Sequence, residues 1–174
     1  MAHMVLTVIG DDRAGLVDAL SRVIADHDGN WEESHMAELA GKFAGIVLAT
    51  VPDRHVEALT AALQPLRDQG LLDITAERAS EEVPDAPRSR MSLHLEGLDQ
   101  PGIVRDVSHA LAALDVSIET LETSTTSAPM SAETLFIADA AITLPVGVEP
   151  GTVADVLEDL AHQLMVDIEV HTSQ

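Results

Sequence analysis

The chain has no cysteine among its 174 residues, which excludes disulfide bonds, thiolate metal sites and a cysteine nucleophile. Aromatic residues make up only 2% of the chain, and they are Trp31, Phe43 and Phe136. Basic residues are scarce too, since nine stand against thirty acidic ones and the net charge is −21. Because a nucleic-acid interface requires a basic surface, we expect no direct binding to DNA or RNA.

Long apolar runs are also missing. No segment approaches the length of a membrane-spanning helix, and no basic-then-apolar leader precedes the first predicted strand. We therefore expect a cytoplasmic protein without a membrane partner. The first residues, Met1–Met4, resemble a cloning remnant and are left out of the site reasoning. The 46% of apolar residues is enough for the core of one domain or of two small ones.

What the chain does contain is an internal repeat. Residues 10–15 (Gly-Asp-Asp-Arg-Ala-Gly) follow an apolar stretch and open a helical pattern, and residues 97–102 (Gly-Leu-Asp-Gln-Pro-Gly) do the same. At one constant offset, Gly10, Asp12, Gly15, Val17, Ser21, Ala25, Asp28 and Glu32 match Gly97, Asp99, Gly102, Val104, Ser108, Ala112, Asp115 and Glu119. A repeat of this length is a whole small domain, so the sequence indicates a tandem duplication.

Each half has the pattern strand, helix, strand, strand, helix, strand. The apolar residues alternate in the predicted strands and recur at helical spacing in the predicted helices. This order is typical of ferredoxin-like domains, and it predicts an α+β fold with two antiparallel sheets. We place the first domain at residues 4–78, a linker at 79–90 and the second domain at 91–172. Each half is small, so we expect a homodimer to cover exposed sheet edges.

Two local features complete the prediction. Pro52 and Asp53 are expected to supply a turn and an N-cap for the second helix. The second half carries an insertion rich in Ser and Thr, at Thr123–Ser131, which we expect to lengthen a solvated loop between its second and third strands.

The Gly-x-Asp-x-x-Gly motif between the first strand and first helix resembles that of the ACT domain, a regulatory module of amino-acid metabolism. Two such units with little else resemble the glycine cleavage system transcriptional repressor family. The resemblance implies an ACT-type fold, sensing of an amino acid such as glycine, and transcriptional control. The second loop matches more fully, because Ala14 of the first loop stands where the second has Pro101. Whether the two loops bind equally is left open.

The loops have a chemistry that suits an amino acid. Glycines let the backbone approach a ligand, the helix start offers N–H groups to a carboxylate, and Asp12 or Asp99 could receive an ammonium group. The alternative is that each Asp only caps its helix. The candidate ligand-binding residues are Asp11, Asp12, Arg13, Ala14, Gly15 and Leu16 in the first loop, and Asp99, Gln100, Pro101, Gly102 and Ile103 in the second.

No catalytic motif stands out. The histidines have no HxH or HExxH spacing, although His94 and His171 could lie on neighbouring strands, and no Gly-x-Ser-x-Gly elbow surrounds a serine. We expect neither an enzyme nor a cofactor or metal. The hypothesis is a regulatory protein that senses an amino acid and contacts a protein partner, possibly a basic or DNA-binding regulator. The alternatives are a structural pairing module without ligand, and a small metal-binding ferredoxin-like protein.

Overall fold

The computed structural model describes residues 1–79, 89–129 and 132–173. The chain divides into two compact units, Met1–Val83 and Pro84–Gln174. The linker predicted at residues 79–90 falls mostly on residues 80–88, which lie outside the described residues. Within the described part of the chain, no helix is long and apolar enough to cross a bilayer.

The first unit has the predicted order of strands and helices. Its elements are β1 (Ala2–Asp11), α1 (Leu16–Asp26), β2 (Asn30–Leu39), β3 (Lys42–Val51), a 3₁₀ turn (Asp53–His55), α2 (Val56–Asp68) and β4 (Asp73–Arg78). The four strands form one antiparallel sheet in the order β2-β3-β1-β4. Every other residue of β1 is buried, from Ala2 through Val8, as expected of a strand with one covered face.

The second unit repeats this order. Its elements are β5 (Arg90–Leu98), α3 (Ile103–Ala112), β6 (Ser117–Ser127), β7 (Thr134–Thr143), α4 (Pro150–Leu164) and β8 (Val166–Ser173). Its sheet is antiparallel with the order β6-β7-β5-β8, equivalent to that of the first unit. Even the irregularities are repeated, because β2 has a register shift after Trp31 and β6 has one after Ile118. The α+β prediction of two tandem ferredoxin-like domains is therefore confirmed.

Each unit has its own hydrophobic core between the sheet and the two helices. In the first unit Leu20 and Leu59, one from each helix, pack with the inward residues of β1 and β3 and are fully buried. Leu111 and Leu157 have the same role in the second unit. The opposite face of each sheet carries no helix of its own unit. Burial of apolar area at about 25 cal/mol per Å² stabilises each helix against its sheet.

Two local predictions are wrong. Thr123–Ser127 belongs to β6 and pairs with β7, so the Ser/Thr-rich insertion lengthens a strand before it reaches the loop. Residues 130–131 of that segment lie outside the described residues. Asp53 does not cap α2, which has no side-chain cap. Its carboxylate instead binds the N-terminal ammonium group at 2.7 Å and Arg78 at 3.4 Å, and these cations hold the pKa of Asp53 below its usual value.

Candidate functional site: the twin glycine loops

The candidate site of each unit is the loop that joins its first strand to its first helix. In the first unit Gly10 lies near the end of β1, where a Cβ atom would come within 2.4 Å of the carbonyl oxygen of Leu71. In the second unit a Cβ on Gly97 would meet the side chain of Val166 at the same distance. The first glycine of each motif is therefore required by a close approach, of the turn before β4 in the first unit and of the first residue of β8 in the second.

The second glycine of each motif has another role. Gly15 and Gly102 are the N-cap residues of α1 and α3, and both have left-handed backbone conformations, with φ of 93° and 100°. Neither helix has a side-chain cap. Asp12 and Asp99 therefore do not cap these helices, and the capping alternative for them is wrong. The first N–H groups of a helix have no partner within the helix, so in both units they are available to a partner from outside the helix.

Each loop is held by one hydrogen bond from a backbone amide and one from a side chain, at equivalent positions in the two units. The Asp12 amide donates to the Gly41 carbonyl at 2.9 Å, and the Asp99 amide donates to the Thr134 carbonyl at 2.8 Å. A long side chain then ties each loop to the chain just after the second helix or at its end. Arg13 donates to the Gly70 carbonyl, and Gln100 donates to the Leu164 carbonyl at 2.7 Å.

The role of these two braces was missed by the sequence analysis, which grouped them with the ligand-binding residues. The signal that could have found them is that Arg13 and Gln100 occupy equivalent positions and both carry a donor on a long side chain. Since their N–H groups are directed to the protein's own backbone, they position the loop.

Asp12 and Asp99 are the free carboxylates of the loops. Both side chains are exposed, and within the described residues neither has a hydrogen-bond or salt-bridge partner. Asp11, in contrast, is paired with Lys42, and this hydrogen bond holds the pKa of its carboxyl below the usual value. The side chains of Leu16 and Ile103 are buried in the cores of their units, so at the loop surface these two residues offer only backbone groups. Ala14 and Pro101 are exposed in the turns.

Each helix start already has a carboxylate of its own. Asp18 stands in the first turn of α1 and Asp106 in the first turn of α3. Asp18 is paired with Arg22 at 3.0 Å, and Asp106 with Arg105 at 2.7 Å. The Arg105 hydrogen bond holds the pKa of Asp106 below its usual value. These acidic groups compensate part of the helix dipole, and a ligand carboxylate would have to compete with them.

The first loop lines an open depression with a volume of about 200 Å³. Its walls bring together four of the predicted residues with three others: Asp12, Arg13, Gly15, Leu16, Val17, Asp18 and Phe43. Asp11 lies instead at a separate depression with Lys42 and Arg67. The first-loop prediction is thus divided between two surfaces, and the depression beside Gly15 contains the free carboxylate and the start of α1.

The histidines do not form a metal centre. In residues 1–79, 89–129 and 132–173 no three His, Asp or Glu side chains are grouped so that they could hold a metal ion. His94 and His171 do lie on the paired strands β5 and β8, but the residue opposite His94 is Glu169. The ring of His94 contacts Asp139 at 2.7 Å, and this hydrogen bond raises the pKa of His94.

The fold and its two equivalent loops define a class: a tandem ferredoxin-like protein with one glycine loop at the first helix of each repeat. Residues 2–77 match the family model of the ACT domain. Since the second repeat has the same fold and an equivalent loop, the chain is a tandem ACT-domain protein.

Solved structures show the same architecture over the whole chain. An unknown protein from Galdieria sulphuraria is 31% identical, with 99% of each chain covered and a TM-score of 0.87. A protein proposed to be a glycine cleavage system transcriptional repressor is 17% identical, with 99% of this chain and 98% of that chain covered and a TM-score of 0.70. The latter likeness shows the fold.

One curated relative matches a shorter segment. A UPF0237 protein of Methanopyrus kandleri is 38% identical over 56 residues, which are 32% of this chain. The matched segment spans 62% of the length of that relative.

Proposed function

We propose that the protein is a non-catalytic regulator that binds an amino acid at its glycine loops and changes its contact with a protein partner. The observation that carries this proposal is the loop geometry, which occurs twice. In each unit an exposed, unpartnered carboxylate, Asp12 or Asp99, stands beside a helix start that has no side-chain cap. A cation acceptor beside a set of anion-binding N–H groups is complementary to a zwitterion.

Two further observations support a regulatory role. Residues 2–77 match the ACT domain family, and the chain resembles over its whole length a protein proposed to be a glycine cleavage system transcriptional repressor. The net charge of −21 disfavours contact with a phosphate backbone. Any control of transcription is therefore proposed to act through a basic or DNA-binding protein partner, and glycine is one of the amino acids to test.

The proposal is tested by the thermal stability of the protein in the presence of each amino acid at millimolar concentration. A ligand that binds only the folded state stabilises it by about 2.7 kcal/mol at a hundredfold excess over Kd. We expect one or a few amino acids to raise Tm, and Asp12→Asn with Asp99→Asn to reduce that rise. Asp26→Asn and Asp159→Asn remove the same charge from exposed helix positions and are the matched controls.

A second set of variants examines the competition at the helix starts. Asp18→Asn and Asp106→Asn remove the carboxylates that already compensate the dipoles, so we expect them to tighten amino-acid binding. If no amino acid shifts Tm, or if the loop variants respond like their controls, the loops are only turns and the chain acts as a structural pairing module.

A further inference from the structure

The second unit contains an apolar slot that the loop proposal does not use. The slot lies between α3 and the sheet, and its mouth is formed by Val104 and Leu121, both of which are more than 40% exposed. Its walls are apolar except for Ser108, and its cavity volume is about 30 Å³. The lining comprises Leu93, Leu95, Ile103, Val104, Val107, Ser108, Leu111, Ile118, Leu121, Phe136, Ala138 and Ala140. A cavity of this volume is large enough to admit a group of the size of a water molecule, such as a methyl group.

The first unit fills the equivalent position with its own side chains. Trp31 precedes the register shift in β2 as Ile118 does in β6, and it packs against the first core. Met36, which pairs with Gly45, packs against the same core. The equivalent pair of the second unit is Thr123 and Ala138, and Thr123 is exposed. Ile118, which lines the slot, is smaller than the indole of Trp31, and this difference leaves space beneath α3 because neighbouring side chains relax only partly.

The β7 wall of the slot carries a smaller residue than its counterpart in the first unit. Ala140 pairs with Leu121 where the first unit pairs Val47 with Ser34, so the bulk moves from the central strand to the edge strand. Leu121 stands at the outer edge, where it shields the slot without closing it. In the first repeat the indole of Trp31 and the thioether of Met36 pack against the core instead.

The slot adjoins the second glycine loop. Ile103 and Val104, which line it, are the first two residues of α3 and directly follow Gly102. Phe136, on the opposite wall, pairs with Gly97. In the first unit the equivalent residues Val17 and Phe43 border the loop depression. A ligand held by its head group at the second loop thus has the mouth of the slot within reach of its side chain.

We propose that the second unit selects an amino acid with an aliphatic side chain, whose terminal methyl group enters this slot while its head group lies at the Gly102 loop. The inference rests on the proposed function and assigns its ligand class. The slot's small volume disfavours an aromatic ring, and its apolar walls leave a polar side chain without partners. The first unit, filled by Trp31, has no such selectivity.

Titration calorimetry of the full chain with glycine, alanine, valine, leucine, isoleucine, methionine and phenylalanine tests the assignment. Each methyl or methylene group that becomes buried is expected to tighten binding about fourfold. The aliphatic series is therefore expected to bind more tightly than glycine, and phenylalanine more weakly than leucine. Chemical shifts of the methyl groups of Val107 and Leu111 are expected to move with leucine and not with glycine.

Ala140→Val fills the slot with the residue that the first repeat carries. We expect it to weaken leucine binding at least fourfold and to leave glycine binding unchanged. Ala141→Val is the matched control, because it makes the same substitution one residue along β7, where the side chain is on the opposite face. Ile118→Trp introduces the residue that the first repeat has at the equivalent position, Trp31. We expect it to weaken leucine binding as Ala140→Val does.

The outcomes separate the two proposals. Binding that is equal across the series, or leucine binding that is unchanged in both Ala140→Val and Ile118→Trp, overturns the slot assignment and leaves amino-acid sensing intact. Absence of binding by every amino acid overturns both.

Discussion

The two glycines of the first loop are expected to respond differently to alanine, because the structure gives them different reasons to be glycine. Gly10 has no room, since a Cβ atom would lie 2.4 Å from the Leu71 carbonyl oxygen and 3.2 Å from the Leu72 side chain. Gly15 has ample room, with nothing within 4 Å of a Cβ atom, but its φ is 93°. One substitution causes a steric clash and the other an unfavourable backbone conformation.

The magnitudes follow from these two causes. A left-handed conformation costs a non-glycine residue about 1–2 kcal/mol, and the reduced freedom of the unfolded chain offsets about 0.4–1 kcal/mol of this. Gly15→Ala is therefore expected to lower the free energy of unfolding by about 1 kcal/mol. Gly10→Ala forces the backbone carbonyl of Leu71 to move in the turn that packs against β1, and overpacking typically costs about 1–3 kcal/mol. We expect a loss of about 2–3 kcal/mol, in the upper part of that range.

Urea denaturation followed by tryptophan fluorescence measures this difference. Trp31 is the only tryptophan in the chain and packs against the first core, so its emission reports unfolding of the first unit. With a slope of about 1 kcal/mol per molar urea, a difference of 1 kcal/mol moves the midpoint by about 1 M. Gly41→Ala is the matched control, because Gly41 also has a positive φ, of 80°, and nothing within 4 Å of a Cβ atom.

The reasoning is refuted if Gly15→Ala is as destabilising as Gly10→Ala, or if Gly41→Ala and Gly15→Ala differ by more than 1 kcal/mol. The first result would mean that the Leu71 carbonyl can move at little cost. The second would mean that the motif constrains Gly15 by something other than its backbone conformation.

Three other predictions concern charge. The contact with Asp139 raises the pKa of His94. The ion pair of His94 and Asp139 therefore stabilises the fold fully below pH 6.5, the ordinary histidine pKa, and this contribution is lost as pH rises through the pKa of His94 in the folded protein. NMR titration of the His94 ring is expected to show a fall in this pKa in Asp139→Asn, and an unchanged pKa contradicts the pairing. Because the net charge is −21, added salt is expected to raise Tm by screening the repulsion between acidic side chains. A decrease in Tm as NaCl is raised from about 0.05 to about 0.5 M, where screening becomes strong, argues against this. A mobility-shift assay with the purified protein is expected to show no specific DNA complex at physiological salt, and a retained shift is the contrary result.

The sequence predicted the fold because the repeated glycine motif and the apolar spacing agree with each other in both halves. It failed where a strand has no covered face. Thr123–Ser127 lies at the sheet edge with all its side chains exposed, so it lacks the alternation that indicates a strand. The pairing with β7 that makes it a strand is a contact between segments and leaves no trace in local composition.

The loops were predicted in part for the same reason. The glycines and the free carboxylates Asp12 and Asp99 are visible as a motif. The braces formed by Arg13 and Gln100 were not recognised, because their acceptors, Gly70 and Leu164, are distant in the sequence. The slot was beyond sequence analysis, since it depends on side-chain volumes at positions on four different elements.

The divergence of the two repeats indicates which atoms of the loops the proposed amino-acid binding would use. Both loops keep the positive φ of the last glycine, the amide contact of the aspartate and a side-chain brace to a carbonyl. They keep these contacts with different residues, Arg13 in one and Gln100 in the other. The backbone of the two loops is the same although the side chains differ, so both loops present the same N–H groups at the helix start. Such groups can bind a carboxylate whatever is attached to it. In the proposed amino-acid binding, selectivity then comes from the surroundings of each loop, which in this chain are an open depression with Val17 and Phe43 in one unit and the apolar slot in the other.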